Sequence, residues 1–166
     1  MKKYLVRHGL SQANNHENIG TPAFGSANAE LMAEGWNHAR QAGNILISHY
    51  GFTPATTPVA TSRMLRTKQT AEGAGFITTN MTEYSLLDEV TSHMGLDEIV
   101  DAIQSQRPPT CAIEQVEALL HSPPEEPIWF THGFVIAAIC YVRGITTTRF
   151  IPKFGEVREI SIGKPS

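Results

Sequence analysis

Short apolar runs alternate along this chain with stretches that carry a helical period. Lys3-Tyr4-Leu5-Val6 is rich enough in strand formers to predict a buried parallel strand with a loop at its carboxyl end. Pro58-Val59-Ala60-Thr61-Ser62 predicts a second strand, residues 76–84 a third, and Pro127-Ile128-Trp129-Phe130-Thr131 a fourth. Val157 to Ile162 alternates apolar and polar, as a strand covered on one face does. Between these runs, Trp36, Ala39, Gly43, Leu46 and Tyr50 recur at spacings of three and four, one face of a helix that Gly51 closes as a left-handed cap. Ser62 to Glu72 predicts a helix with Ser62 as its N-cap, Leu96–Ile103 and Ala112–Leu120 each carry a helical stripe, and Phe134–Val142 reads as a wholly buried helix. Residues 15–30 have neither period and predict a long loop, of the kind that is often functional.

Composition narrows the class without naming a chemistry. With 166 residues, 41% hydrophobic and 17% charged, the chain suits a single domain, residues 1–166, around one core. The 13 Lys and Arg against 16 Asp and Glu leave no basic field, so no nucleic-acid partner is expected and any anion site must be local. No stretch near Met1 has the hydrophobic length of a signal peptide, and the longest apolar run is half of a membrane span. Cys111 and Cys140 lie far apart without metal-ligand spacing, as free thiols in a reducing compartment would. A cytoplasmic protein without a membrane partner is the expectation. Glu117 and Thr146, six positions after the cysteines, argue against a cysteine-based phosphatase loop.

The candidate chemistry sits where predicted strands end. Arg7-His8-Gly9 follows the first strand and supplies a cation for a phosphate, a nucleophile or base, and a glycine for close approach. The fourth strand repeats the arrangement with His132-Gly133, leading into a helix N-terminus that favours anions. Arg63 and Arg66 lie in the first turns of a predicted helix, against its dipole, a placement that an anion would offset. The carboxylates Asp88 and Glu89 follow the third strand, and one of them turned toward the site would be a proton donor. Two guanidiniums and a second imidazole around His8, with Asn14, describe a phosphoryl pocket; a metal would call for carboxylates or thiolates instead.

The spacing Arg-His-Gly-x-Ser-x-x-Asn over residues 7–14, with Ser11 and Asn14, Ser-x-x-x-Arg-x-x-Gln-Thr-Ala over residues 62–71, and the late His132-Gly133 resembles the histidine phosphatase superfamily, the phosphoglycerate-mutase-like family. The resemblance spans nearly the whole chain. It implies a three-layer α/β/α sandwich with a mixed, mostly parallel sheet, and a covalent phosphohistidine mechanism without metal or cofactor. His8 would be the nucleophile, with Arg7, Asn14 and Arg66 on the phosphoryl oxygens, Gly9, Ser11 and Gly133 beside them, and His132 stabilising the transferring group. Leu87-Asp88-Glu89 fits the register of the family's proton donor with Glu89, Asp88 being the alternative.

Departures at Leu10, Arg63, Phe134 and Ala137 spare the phosphate pocket but weaken any claim to mutase activity. The chain also lacks the insertions that resemble a mutase's closed pocket, so hydrolysis is expected over phosphoryl return. Residues 15–30 and 90–127 are expected to form a small lid whose His16, Phe24, His93 and Met94 line a partly apolar mouth. The substrate is then a small phosphorylated molecule or a phosphoprotein. A phosphoglycerate-mutase-type transferase and a phospho-binding module of low activity are the alternatives.

Overall fold

The computed structural model describes residues 1–91 and 94–163; His93 and the tail Lys164-Pro165-Ser166 lie outside the described residues. Five strands form one sheet in the order β3-β2-β4-β1-β5: β1 (Lys2–Arg7), β2 (Val59–Thr61), β3 (Met81–Glu83), β4 (Ile128–Thr131) and β5 (Val157–Ser161). β1, β2, β3 and β4 pair in parallel, and β5 runs antiparallel at the edge beside β1. The mixed, mostly parallel sheet is therefore the one expected from the sequence.

Side-chain alternation along the central strands divides the core in two. Leu5 and Trp129 face one layer, with Ala60, beneath α3 (Leu96–Ser105), α4 (Thr110–His121) and α5 (Gly133–Val142). Val6, Ile128 and Phe130 face the other, against α1 (Ala33–Asn44) and α2 (Leu65–Gly73). Layers of helix, sheet and helix result, and α5 is buried from Gly133 through Cys140, as its unbroken apolar sequence requires. No helix among the described residues is long and apolar enough to cross a membrane.

Element boundaries depart from the sequence reading in three places. α1 runs on through a π-helical turn, Ile45–His49, before Gly51 takes φ +76°, so the helical stripe persists while the hydrogen bonding changes. The third strand shrinks to Met81–Glu83, because Phe76 drops into the core against Phe130 and a 3₁₀ turn occupies Thr78–Asn80. α2 begins at Leu65, so Arg63 precedes the helix and Ser62 is not its N-cap.

The expected lid also divides. Residues 15–30 hold a 3₁₀ turn, His16–Asn18, and are otherwise irregular, with positive φ at Gly20 and Gly25. In the segment 90–127, α4 buries Ala112, Val116 and Leu119 in the core, which leaves Thr91 and α3 to face the cavity described below.

Candidate active site

Adjacent central strands bring the two His-Gly sequences together. β1 and β4 pair in register, Arg7 opposite Thr131, and the His8 amide donates to the Thr131 carbonyl at 3.1 Å. One residue beyond that register the His8 and His132 rings meet edge to face, with centroids 5.0 Å apart. Both side chains are fully buried.

The hydrogen bonding of His8 fixes its tautomer. Nδ1 lies 2.7 Å from the Gly9 carbonyl, which can only accept, so Nδ1 carries the proton and Nε2 the lone pair. Nε2 is buried and has no partner. Burial, with the charges of Arg66 and Arg7, holds the His8 pKa well below the ordinary 6.5, and the Gly9 bond opposes this only in part. A neutral imidazole with a free Nε2 lone pair is the form that can attack phosphorus.

Around that nitrogen lie further donors without partners. Among the described residues, Arg7 Nε, Arg66 Nε and His132 Nδ1 are also buried and unbonded. An unsatisfied buried polar atom costs about 1–3 kcal/mol, more when charged, so four such nitrogens, two of them guanidinium donors, describe a site shaped for an anion. The arginines are held by their outer nitrogens. Arg7 donates from one terminal NH2 group to the Pro152 carbonyl at 2.7 Å, and Arg66 likewise to the Ser26 carbonyl at 3.0 Å. Burial lowers the Arg7 pKa to about 10 and shifts Arg66 downward as well, so both remain cationic at neutral pH.

His132 is set by the tip of β2. Its Nε2 lies 2.9 Å from the Ser62 hydroxyl, which is itself 2.9 Å from the Thr67 hydroxyl and accepts from the Met64 amide. In sequence Ser62 reads as a helix cap; its hydroxyl instead orients the second histidine. Burial first, then His8 and the two arginines, hold the His132 pKa well below 6.5.

The two carboxylates separate cleanly. Asp88 accepts from the Arg63 amide at 2.8 Å and from Arg63 Nε at 2.7 Å, with a terminal guanidinium nitrogen at 2.6 Å. Arg63 is thus engaged with Asp88 on the outside of the site and does not offset an anion there. Glu89 points inward, with Oε2 3.7 Å from His132 Nδ1, and lines a cavity together with Arg7 and Gly133. Burial raises its pKa above 4.5 despite the opposing pull of Arg66 and Arg7. A carboxyl so placed can hold a proton that an ordinary surface glutamate would have lost.

Two glycines make room for this arrangement. A Cβ on Gly9 would stand 2.3 Å from the Gly35 carbonyl oxygen, so the loop carrying His8 packs backbone to backbone against α1. A Cβ on Gly133 would meet Arg7 Nε at 3.1 Å. Ser11 donates to Asn14 Oδ1 at 2.7 Å, and Asn14 lines the cavity of 280 Å³ next to the site. His16 and Phe24 line it too, whereas Met94 packs against the core.

Some contributors carried no signal in the sequence. Phe154 lies over the Arg7 guanidinium at 4.0 Å, 6.0 Å from His8, and stacks on His38 at 5.8 Å. It comes from the connection before β5, where the Gly155 amide donates to the Arg7 carbonyl. Thr70 accepts the Gly9 amide at 3.0 Å. Among the described residues no three His, Cys, Asp or Glu side chains form a group that could hold a metal ion.

Comparisons with known proteins give the family and the fold. The family model for the histidine phosphatase superfamily, branch 1, matches residues 3–109, which takes in Arg7, His8, Arg66 and Glu89 but stops short of His132. The chain is similar to the crystal structure of TTHB049 from Thermus thermophilus, with 22% identity and a TM-score of 0.66 over 96% of this chain and 93% of that one. It is similar to a phosphoglycerate mutase from the same organism, with 22% identity and a TM-score of 0.64 over 96% and 92% of the two chains. For Rv3214 from Mycobacterium tuberculosis the identity is 18% and the TM-score 0.62, over 95% and 89%. Likeness at these identities concerns the fold. No curated protein matches the sequence.

Proposed function

The chain belongs to the histidine phosphatase superfamily, branch 1, and on that premise we propose that it is a phosphatase that hydrolyses a phosphomonoester through a covalent phosphohistidine at His8. The observation that carries this reading is the His8 tautomer, with Nδ1 bonded to the Gly9 carbonyl and Nε2 buried, unpartnered and among cationic nitrogens. His8 Nε2 forms a bond to phosphorus as the bond from phosphorus to the leaving oxygen breaks. Arg7 and Arg66 take the phosphoryl oxygens through the nitrogens that lack partners, and Asn14 and His132 Nδ1 add donors. These contacts strengthen as negative charge spreads over the equatorial oxygens, so they favour the transition state. Glu89 gives its proton to the leaving oxygen. Water then attacks phosphorus, Glu89 takes a proton from it, the bond from nitrogen to phosphorus breaks, and phosphate departs.

The two guanidiniums supply the charge stabilisation that a metal provides in other phosphatases, so the reaction as proposed uses none. Loss of the Arg66 contact should lower the rate by about 10²-fold or more. The test is a denaturing quench at alkaline pH with a 32P-labelled monoester, followed by acid treatment of half the sample. The parent should carry acid-labile label and release free phosphate, and a His8→Ala variant should do neither. A His8→Ala variant that hydrolyses an aryl phosphate as fast as the parent would refute the reading. Isomerised product with little free phosphate would instead identify a phosphoglycerate-mutase-type transferase, and tight phosphate binding without turnover a phospho-binding module.

A further inference from the structure

Beyond the phosphoryl pocket lies the surface that meets the rest of the substrate, and its chemistry is one-sided. The 280 Å³ cavity has polar groups at Arg7, Glu89 and Gly133, next to the buried histidines, and at Asn14, His16 and Thr91. Its remaining walls include Phe24, Ile99, Ile103, Phe134, Ile151 and Phe154. Among the described lining residues, Arg7 is the single arginine or lysine, and in the phosphatase reading its free Nε is taken by the phosphoryl group itself. A substrate carrying a second phosphate or a carboxylate would have to strip water from that charge against isoleucine and phenylalanine, with no second arginine or lysine among the described lining residues.

The apolar surface also continues outward. α3 buries only Ala102, and its Ile99 and Ile103 line the cavity while Leu96 and Val100 carry the same stripe into solvent. Ile103 is 48% exposed and Leu96 75%. A helix that leaves such a stripe uncovered beside a catalytic pocket offers it to the ligand.

We propose that the leaving group of the substrate is uncharged and apolar, of the aryl or short alkyl class, and is seated between Phe24, Phe134 and the isoleucines of α3. The inference rests on the phosphatase reading above. A cavity at the small end of the range for ligand pockets suits one ring system better than a folded protein surface. A phosphopeptide backbone would find hydrogen-bond partners only at Asn14, His16 and Thr91, and none along the isoleucine and phenylalanine walls.

The experiment compares non-hydrolysable ligands by calorimetry on the full chain, so that recognition is read without turnover. 1-Naphthylmethylphosphonate should bind at least about 10-fold more tightly than 3-phosphonopropionate, which replaces the ring with a carboxylate. Ile103→Ser, at a half-exposed position where the fold has little at stake, should reduce that ratio by about 10-fold. Equal or reversed affinities, or a ratio indifferent to Ile103→Ser, would overturn the proposal, as would a phosphoserine peptide binding more tightly than the naphthyl ligand. Turnover of 1-naphthyl phosphate and labelling of His8 are scored separately. Apolar preference without either removes the phosphatase reading and upholds the recognition surface; labelling and turnover without apolar preference do the reverse.

Discussion

The neutrality of the two buried imidazoles can be measured as a loss of stability in mild acid. His8 and His132 both have folded-state pKa values well below the ordinary 6.5, chiefly through burial. The stability such a group contributes is fully present above its unfolded value and is lost as pH falls toward the folded one, because only the unfolded chain takes up the proton. Between pH 7.5 and 5.5 each imidazole held neutral should remove on the order of 1 kcal/mol, and the pair roughly twice that. Glu89 works in the opposite direction. Its raised pKa means that the folded chain takes the proton first, so its own share of stability grows as pH falls through that raised value toward 4.5. Urea unfolding of the parent and of His8→Gln at pH 7.5, 6.5 and 5.5 isolates one imidazole. The variant should lose on the order of 1 kcal/mol less than the parent over that interval. Parallel losses in the two proteins would mean that His8 is not held neutral, and the argument for a free Nε2 lone pair would fall with it.

Exchanging Glu89 for Gln should lower kcat by about 10²-fold to 10⁴-fold on an alkyl phosphate, whose poor leaving group needs the proton. In the parent, kcat should decline as pH rises through the raised Glu89 pKa, and Glu89→Gln should abolish that limb; a variant that keeps the limb would assign the proton to another group. Asp88→Asn should weaken the three contacts from Arg63 and lower the melting temperature while kcat stays within about tenfold of the parent, so a collapse in kcat comparable with that of Glu89→Gln would undo the separation of the two carboxylates. Gly9→Ala places a Cβ 2.3 Å from the Gly35 carbonyl oxygen and should cost about 1–3 kcal/mol in urea unfolding, whereas an unchanged midpoint would mean that α1 retreats freely.

The residues legible in the sequence are those whose position depends on local pattern. The buried strands around Leu5 and Trp129 read clearly because their apolar runs are unbroken, and each ends in the His-Gly that the sheet order then places side by side. Ser62 illustrates the limit. A serine before a helix reads as a cap from local chemistry, yet its hydroxyl is turned to His132, 70 residues away, by the pairing of β2 with β4. Phe154 carries no period at all, and only the antiparallel return of β5 beside β1 brings its connection over Arg7. Arg63 and Arg66 look equivalent in sequence. The start of α2 at Leu65 decides between them, sending Arg63 outward to Asp88 and Arg66 into the core.

The sheet order carries a consequence for how the protein is made. β1 emerges first in synthesis but finds its two neighbours only in β4 and β5, at the other end of the chain. Val6 pairs with Phe130, so at ribosomal speeds of about 5–20 residues per second the first strand waits roughly 6–25 s for its partner. During that interval Leu5 and Val6 have no strand to cover them, and His8 is an ordinary solvated histidine that no burial or guanidinium holds neutral. The proposed nucleophile therefore takes its buried, neutral form only when the sheet closes: a nascent chain lacking β4 holds the Arg-His-Gly sequence without the surroundings that hold His8 neutral.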